Sequence, residues 1–331
     1  MNQDAWLSAI AWLAASPEPA VRRAAQLEFL GTPWCEGSVT NGRIVSSLLS
    51  GQQPDGGFGV HPYRKWTGAH WRLVSLVDLG VTAADAPSLL DAAGSVLGWL
   101  HGDQHRSQIR VINGLTRRCA SQEGNALYVC SRLGMASDPR VAQLAHDLVL
   151  WQWPDGGWNC DVGASGRRSS FHETLPAAKG LYAFCKASGD PAARAAAERA
   201  AELLLAHRLF KSSSTGRPID PRWLNLRYPE FWHYGILPAL LLLSRMGLSG
   251  DPRALEATEL LRSKMLPDGR WPVEGAWWSP PGAGGQTDVT DWGRTGPNEF
   301  VTLSAVRILA AGLSGPAGGT TQDAGGTRSH A

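Results

Sequence analysis

The sequence predicts an all-α fold: a single-domain α6/α6 barrel (toroid) of about twelve helices over residues 1–313. Three observations predict it. A Pro-Asp-Gly turn recurs along the chain, amphipathic helices alternate with more apolar ones, and no stretch shows the period-two alternation of a strand. Six outer helices would then surround six buried inner helices. Residues 314–331, rich in Gly, Thr and Ala, are predicted to form a disordered tail.

The individual helices are predicted from apolar periodicity and from the residues that begin and end them. Asp138-Pro139, Asp190-Pro191 and Asp251-Pro252 each begin an amphipathic helix, because Asp accepts a backbone N–H and Pro suits the first helical position. Residues 101–119 are predicted as a loop. The other predicted helices are 3–15, 20–30, 40–51, 66–79, 85–100, 123–133, 171–187, 230–246 and 298–312.

The repeated turns are Pro54–Gly56, Pro154–Gly156 and Pro267–Gly269. Each follows a predicted outer helix, precedes an inner one and is followed by an aromatic residue. Pro presets φ, Asp bonds back to the backbone and Gly accepts positive φ, so each copy predicts a tight turn. All three turns are expected where an outer helix leads into the next inner one.

Composition excludes some classes of function and partner. The formal net charge is +2 and the basic residues are spread along the chain, so no nucleic-acid partner is expected. Peripheral membrane contact is left open although nothing indicates it, and the longest apolar run, residues 236–243, is too short to span a bilayer. The five cysteines follow no regular spacing and no signal peptide is evident, which predicts reduced thiols and a cytoplasmic protein.

Two of the turns carry a recognisable motif. Gln152-x-x-x-Gly-Gly-Trp158 and Gln53-x-x-Gly-Gly-Phe58 resemble the QW repeats of squalene–hopene cyclases and the related repeats of protein prenyltransferase β-subunits. Residues 265–271 resemble a degenerate copy ending in Trp271. The resemblance implies the terpenoid cyclase/prenyltransferase toroid, in which these Gln and Trp residues belong to the scaffold.

The chain departs from both families where their chemistry resides. Class II cyclases use an Asp-x-Asp-Asp acid, whereas Asp288-Val-Thr-Asp291 has another spacing and lies in a Gly/Pro-rich segment. Prenyltransferases bind zinc through Asp-x-Cys on one inner helix and His on the next. Residues 231–234 resemble the His-bearing segment, but residues 170–173 lack Asp-x-Cys.

Charged and imidazole side chains recur at the predicted N-terminal ends of the inner helices, where an apolar residue would be expected. We interpret them as a ring at the mouth of the toroid that supplies acid/base groups, and the nearby Trp and Tyr as π faces for an apolar substrate or a cation. The catalytic candidates are His70, Glu123, His172, Glu173, His233 and Glu299, and the substrate-binding candidates are Trp66, Trp71, Arg72, Asn125, Asp161, Trp232 and Tyr234.

Each candidate also has a structural interpretation. Ser170-x-x-Glu173 is a capping-box pattern, and Glu123 and Glu299 suit the positive end of a helix. A buried His more often satisfies a neighbour than reacts. The pairs Arg117-Arg118 and Arg167-Arg168 precede inner helices, where they would bind a diphosphate or simply be exposed loop residues.

A metal site is the least determined feature of the sequence. Cys160, His172 and His233 are the candidate ligands, because thiolate and imidazole suit Zn²⁺. Their spacing matches no standard zinc motif. The sequence identifies no cofactor, so both Zn²⁺ and Mg²⁺ are left open, and it identifies no partner subunit.

Three classes of function remain. The first is a terpenoid cyclase-like or prenyltransferase-like enzyme that holds an apolar, isoprenoid-type substrate in the toroid cavity and acts by acid/base chemistry. The second is a hydrolase or lyase that uses the His/Glu ring. The third is a non-catalytic toroid that binds a lipid, peptide or protein. A deep apolar cavity favours the first, a shallow polar cleft the second, and a plugged cavity the third.

Overall fold

The computed structural model describes residues 3–313, so the predicted disordered tail, 314–331, lies outside the described residues. The helices and strands follow one another in this order: α1 (Gln3–Ala14), α2 (Pro19–Ala25), α3 (Arg43–Leu49), α4 (Ala69–Asp78), α5 (Leu89–His101), α6 (Asp103–Arg106), β1 (Arg110–Ile112), β2 (Leu115–Arg117), α7 (Ala120–Arg132), α8 (Pro139–Trp151), α9 (Phe171–Ser188), α10 (Pro191–Ala206), α11 (Ile236–Arg245), α12 (Leu255–Ser263) and α13 (Glu299–Leu313).

The helices form the predicted toroid. The inner ring is α2, α4, α7, α9, α11 and α13, and the outer layer is α1, α3, α5, α8, α10 and α12. The inner helices α4 and α7, α7 and α9, and α11 and α13 pack in pairs, and α13 packs against α1 and α2 to close the ring. Residues 26–30 extend α2 by a π-helical turn. None of the described helices is both long and apolar enough to cross a membrane.

The Asp-Pro pairs begin their helices as predicted. The side chain of Asp138 accepts from Arg140 N, Asp190 from Ala193 N, and Asp251 from the N–H of residue 253. Each bond satisfies a backbone donor that has no partner within its helix. The third pair begins a short 3₁₀ turn that leads into α12.

The glycine of each Pro-Asp-Gly turn packs against an outer helix. Gly156 has φ +96, and a Cβ there would lie 2.5 Å from the carbonyl oxygen of Arg199 in α10. Gly269 has φ +84, and its Cβ would lie 2.0 Å from the carbonyl oxygen of Ala5 in α1. Both the positive φ and the close approach require glycine. The third turn, at residues 267–269, therefore packs against the first helix, α1.

The glutamine and tryptophan of the repeats act as scaffold. Gln152 Nε2 donates to the carbonyl oxygen of Ala196 at 2.8 Å, and Gln52 Nε2 donates to that of Ser88 at 2.7 Å. Gln52, and not Gln53, is therefore the counterpart of Gln152. The motif assignment at Gln53 was wrong by one residue because two glutamines stand side by side.

Three local predictions were wrong. Residues 110–117 form an antiparallel hairpin, for which Asn113-Gly114, both at positive φ, is the typical two-residue turn. The inner helix predicted from residue 66 begins at Ala69. The one predicted from residue 230 begins only at Ile236, after an extended Gly235. Residues 230–235 thus form a loop, and Pro238 lies in the first turn of α11, where it needs no N–H partner.

Candidate functional site

A cavity runs along the axis of the toroid and opens at the C-terminal ends of the inner helices. Its deep part has a volume of about 80 Å³ and leads into a vestibule of about 700 Å³. The vestibule is formed by the last turns of α4, α7, α9, α11 and α13. The deep part is walled mainly by apolar side chains: Leu175, Pro176, Tyr228, Phe231, Leu237, Leu241, Phe300 and Leu303.

Basic side chains outnumber acidic ones around the vestibule. Five are basic and two, Glu28 and Asp78, are acidic. Arg307 is paired with Glu28 at 2.7 Å, and Lys179 Nζ forms a longer ion pair with Asp78 Oδ2 at 3.8 Å. The vestibule therefore suits an anionic group. The basic residues are Arg132, Lys179, Lys186, Arg245 and Arg307.

A carboxyl group that is uncharged at neutral pH lies at the deep end. Glu230 Oε2 accepts from Trp277 Nε1 at 2.8 Å, while Oε1 is buried and has no hydrogen-bond partner among the described residues. Burial raises the pKa of Glu230 to about 8, although the hydrogen bond from Trp277 opposes the rise. Glu230 is thus predominantly protonated at pH 7 and has a proton to donate.

His233 lies beside Glu230 on the cavity wall and is held by two rings. It stacks on Trp277 with centroids 4.0 Å apart and on Trp232 at 4.2 Å. Burial lowers the pKa of His233 to about 3, so the ring is neutral. Its Nδ1 lies 3.1 Å from the Glu230 carbonyl oxygen, which can only accept. The proton is therefore on Nδ1, and Nε2 keeps a lone pair.

His172 has the opposite tautomer. Its Nδ1 accepts from the backbone N–H of Tyr234 at 2.8 Å, so a neutral ring carries its proton on Nε2. The centroids of His172 and His233 are 6.3 Å apart. The two imidazoles predicted to face each other are therefore neighbours, but only His233 is among the residues that line the cavity.

The end of the toroid at which the mouth was predicted is filled by aromatic side chains. Trp66 stacks on Phe231 with centroids 3.9 Å apart and planes at 4°, and it donates to the carbonyl oxygen of Trp277. Trp71 is fully buried and donates to the carbonyl oxygen of Tyr63. These rings close the toroid at the N-terminal ends of the inner helices. The cavity therefore opens at their C-terminal ends. Phe231, on which Trp66 stacks, lines the cavity, whereas Trp66 and Trp71 are not among its lining residues.

Glu123 belongs to a buried ion cluster. Its Oε1 accepts from His105 Nε2 at 2.9 Å and from the guanidinium of Arg118 at 2.7–2.8 Å. Burial alone would raise the pKa of Glu123, but His105 and Arg118 outweigh it and hold the pKa below its usual value. His70, also buried, has a pKa lowered to about 3 by burial, and its Nε2 has no partner among the described residues. Neither Glu123 nor His70 is among the residues that line the cavity.

Glu173 and Cys160 meet each other, not the two histidines. Cys160 Sγ lies 3.6 Å from Glu173 Oε1, and Cys119 forms the third member of this cluster. The proposed ligand set of Cys160, His172 and His233 was therefore wrong, because the loop after the second turn leads Cys160 towards α7. The capping-box interpretation was also wrong: Ser170 makes no side-chain cap, and Glu173 Oε2 accepts from Ser121 N at 2.8 Å.

Four other substrate-binding candidates make contacts within the fold. Arg72 donates to the carbonyl oxygens of residues 48, 50 and 67 and stacks on Phe58, which ties α4 to the first turn. Tyr234 donates from its hydroxyl to Leu209 O at 2.6 Å. Asn125 donates to Phe231 O at 3.3 Å, and the Trp232 ring faces the ammonium of residue 65 at 4.9 Å.

The remaining candidates lie apart from the cavity. Glu299 accepts from the Ser16 hydroxyl at 2.8 Å, beside a separate surface pocket. Asp161 is exposed and accepts from Gly163 N in its own loop. Arg118 is paired with Glu123, and Arg117 stacks on a tryptophan. Neither arginine pair lines the vestibule.

Sequence reasoning included Glu230 in the ring at the inner-helix starts without selecting it as a catalytic candidate, and it missed the basic vestibule. Glu230 was taken as the first residue of a helix rather than as part of a loop folded over the cavity. Basic residues near helix C-termini are the ordinary complement of the helix dipole, so singly they give no signal. Their recurrence on four inner helices, α7, α9, α11 and α13, was the signal available.

Comparisons with known proteins do not identify a family. Neither the protein-family models nor the curated proteins match this chain. Among solved structures, a crystal structure of a protein from Actinoplanes is similar, with a TM-score of 0.40 and 17 % identity over 93 % of this chain and 89 % of that chain.

Proposed function

We propose that the protein is a terpenoid cyclase-like enzyme that acts on an amphipathic, isoprenoid-type substrate with an anionic head. The observation that carries the proposal is a basic vestibule that shares wall residues with a narrow apolar cavity, in which Glu230 is buried with Oε1 lacking a hydrogen-bond partner among the described residues. The head would lie among the Arg and Lys side chains. The tip of the chain would enter the narrow apolar part.

The reaction proposed is acid/base isomerisation with no change in composition. Glu230 donates its proton to an oxygen of the substrate chain, such as an epoxide, and the C–O bond breaks to leave a carbocation. Such an oxygen is a better proton acceptor than an alkene for an acid with a raised pKa. The rings of Tyr228, Phe231 and Phe300 face the cation. The Nε2 of His233 then removes a proton from the neighbouring carbon.

Binding is tested first, with a matched pair of ligands. Farnesyl diphosphate and farnesol share the chain and differ in the head, and calorimetry measures the affinity of each for the whole protein. We expect the diphosphate to bind at least about 10-fold more tightly than farnesol. Its affinity should fall in high salt. If neither ligand binds, or if farnesol binds equally well, the proposal fails.

Turnover is tested with epoxidised prenyl diphosphates and product analysis by mass spectrometry. We expect a product of unchanged mass and new retention time from the wild type. We expect a loss of about 100-fold or more in Glu230→Gln, since the variant has no acidic proton. Glu198→Gln, an exposed change on α10, is the matched control. Unchanged turnover in Glu230→Gln would overturn the assignment of the acid.

The narrow deep cavity supports a second candidate, a toroid that binds such a lipid without turning it over. A volume of about 80 Å³ is below the range of about 300–1,000 Å³ typical of ligand pockets, so only the vestibule accommodates a large group without movement. Tight binding of the diphosphate with no product in any variant would favour this function.

A further inference from the structure

We infer that Cys119, Cys160 and Glu173 form a zinc-binding site. This site is separate from the cavity, and the inference does not depend on the proposed function. The ligand atoms of the three residues lie within 4.8 Å of one another. Glu173 is buried, and the two cysteines are half-buried, so an ion can reach them from solvent.

The separation of the ligand atoms suits a tetrahedral ion. With Zn–S near 2.3 Å and Zn–O near 2.0 Å, two ligands at the tetrahedral angle are about 3.5 Å apart. Cys160 Sγ and Glu173 Oε1 are 3.6 Å apart. The Cys119 and Cys160 sulfurs lie within 4.8 Å of each other, close enough for both to bind one ion.

Backbone hydrogen bonds hold the three ligands in place. The segments bearing the two cysteines run side by side, joined by a parallel bridge between Arg117 and Asn159 and by Arg118 N donating to Asn159 O at 3.1 Å. Ser170 N donates to Trp158 O at 2.8 Å, which fixes the same loop to the start of α9. The site therefore exists before a metal arrives.

Glu173 is oriented as a metal ligand would be. Its Oε2 accepts from Ser121 N at 2.8 Å, and Oε1 is directed at Cys160. A hydrogen bond from the backbone to the other oxygen is the usual support of a ligating carboxylate. Three protein ligands leave the fourth position of Zn²⁺ for water or a substrate group. Two thiolates favour Zn²⁺ over Mg²⁺, which prefers oxygen.

The test is metal binding by the full chain, with Co²⁺ as the spectroscopic probe and Zn²⁺ as competitor. Reduced wild-type protein should bind one Co²⁺, give thiolate-to-cobalt charge-transfer absorption, and release the Co²⁺ when Zn²⁺ is added. Cys119→Ser and Cys160→Ser should each lower the affinity for zinc by about 100-fold or more, and Glu173→Gln by about 10-fold or more. Cys35→Ser, at an exposed cysteine outside the cluster, should leave it unchanged.

Other outcomes overturn the inference. The inference is overturned if the reduced protein binds neither Co²⁺ nor Zn²⁺. It is also overturned if Cys35→Ser weakens metal binding as much as Cys160→Ser does. An intact mass lower by two hydrogen atoms, together with no cobalt binding after reduction, would instead assign the two cysteines to a disulfide. Circular dichroism and Tm of each variant separate loss of metal from loss of fold. The metal-binding result would stand even if the cavity residues proved to have no catalytic role.

Discussion

Charged residues lie at both ends of the inner helices, and the two ends use them differently. At the N-terminal end, Glu123 is enclosed with Arg118 and His105, and each charge has a partner within the fold. At the C-terminal end, Arg132 and Lys186 are exposed around an open vestibule. Recurrence of charge on buried helices therefore does not identify a site by itself. What distinguishes a site is a charge or a proton that faces open space.

The largest effect on stability should come from breaking the buried ion cluster at the N-terminal end of the inner helices. Glu123→Ala leaves the Arg118 guanidinium, only 4 % exposed, charged and without its partner. We expect the free energy of unfolding to fall by about 3–5 kcal/mol in urea denaturation at pH 7. At the open end, Glu28→Ala breaks the half-exposed pair with Arg307, and we expect a loss below about 1 kcal/mol. Equal losses would contradict the comparison.

The next largest effect is the pH dependence of stability due to Glu230, which lies between the two ends of the inner helices. Its pKa is raised from 4.5 to about 8 in the folded protein, so the folded state holds its proton more tightly than the unfolded state. The stability contributed by protonated Glu230 is complete below pH 4.5 and is lost as the pH rises towards 8. Glu230→Gln should therefore gain up to about 4 kcal/mol relative to wild type between pH 5 and 8.5.

Chemical denaturation across that pH range measures this gain. Glu198→Gln, the exposed control on α10, should follow the wild-type pH dependence within error. A constant difference between Glu230→Gln and wild type over the whole range would show that Glu230 titrates at the same pH in both states, and the acid role would lose its basis.

The smallest effect should come from a single basic residue of the vestibule. Lys186→Ala should change the free energy of unfolding by no more than about 0.5 kcal/mol. It should still weaken binding of farnesyl diphosphate by about 2- to 5-fold at low salt, a difference that high salt removes. Arg194→Ala on α10 is the control at another exposed position. A large loss of stability, or no loss of affinity, would show that Lys186 serves the fold and not a ligand.

The fold was predictable because its signals are local. Asp138-Pro139 and Asp190-Pro191 specify helix starts within a few residues, and Pro154–Gly156 specifies a turn with its own backbone chemistry. The start of α11 was not predictable in this way. Residues 230–235 carry three aromatic side chains beside Glu230 and His233, and their conformation is set by partners distant in sequence, such as His172, which accepts from the N–H of Tyr234.

The candidate sites were less predictable because they form only in three dimensions. Cys119 and Cys160 are brought together by the bridge between residues 117 and 159, which no spacing in the sequence reveals. The raised pKa of Glu230 comes from burial under a loop that the sequence presented as helix. Of the two rings that hold His233, Trp232 lies beside it in the sequence, whereas Trp277 is distant.

The contact of Gly269 with Ala5 has a consequence for the topology of the chain. The ring is joined along the backbone everywhere except between α13 and α1, where packing, the Ser16–Glu299 hydrogen bond and the Arg307–Glu28 ion pair hold it. Trp6 contacts Phe29, which borders the vestibule together with Ala311, so both ends of the described chain lie on one side of the ring. A short linker between them, with new termini opened in the exposed loop at residues 213–216, should yield a circular permutant that folds to the same toroid.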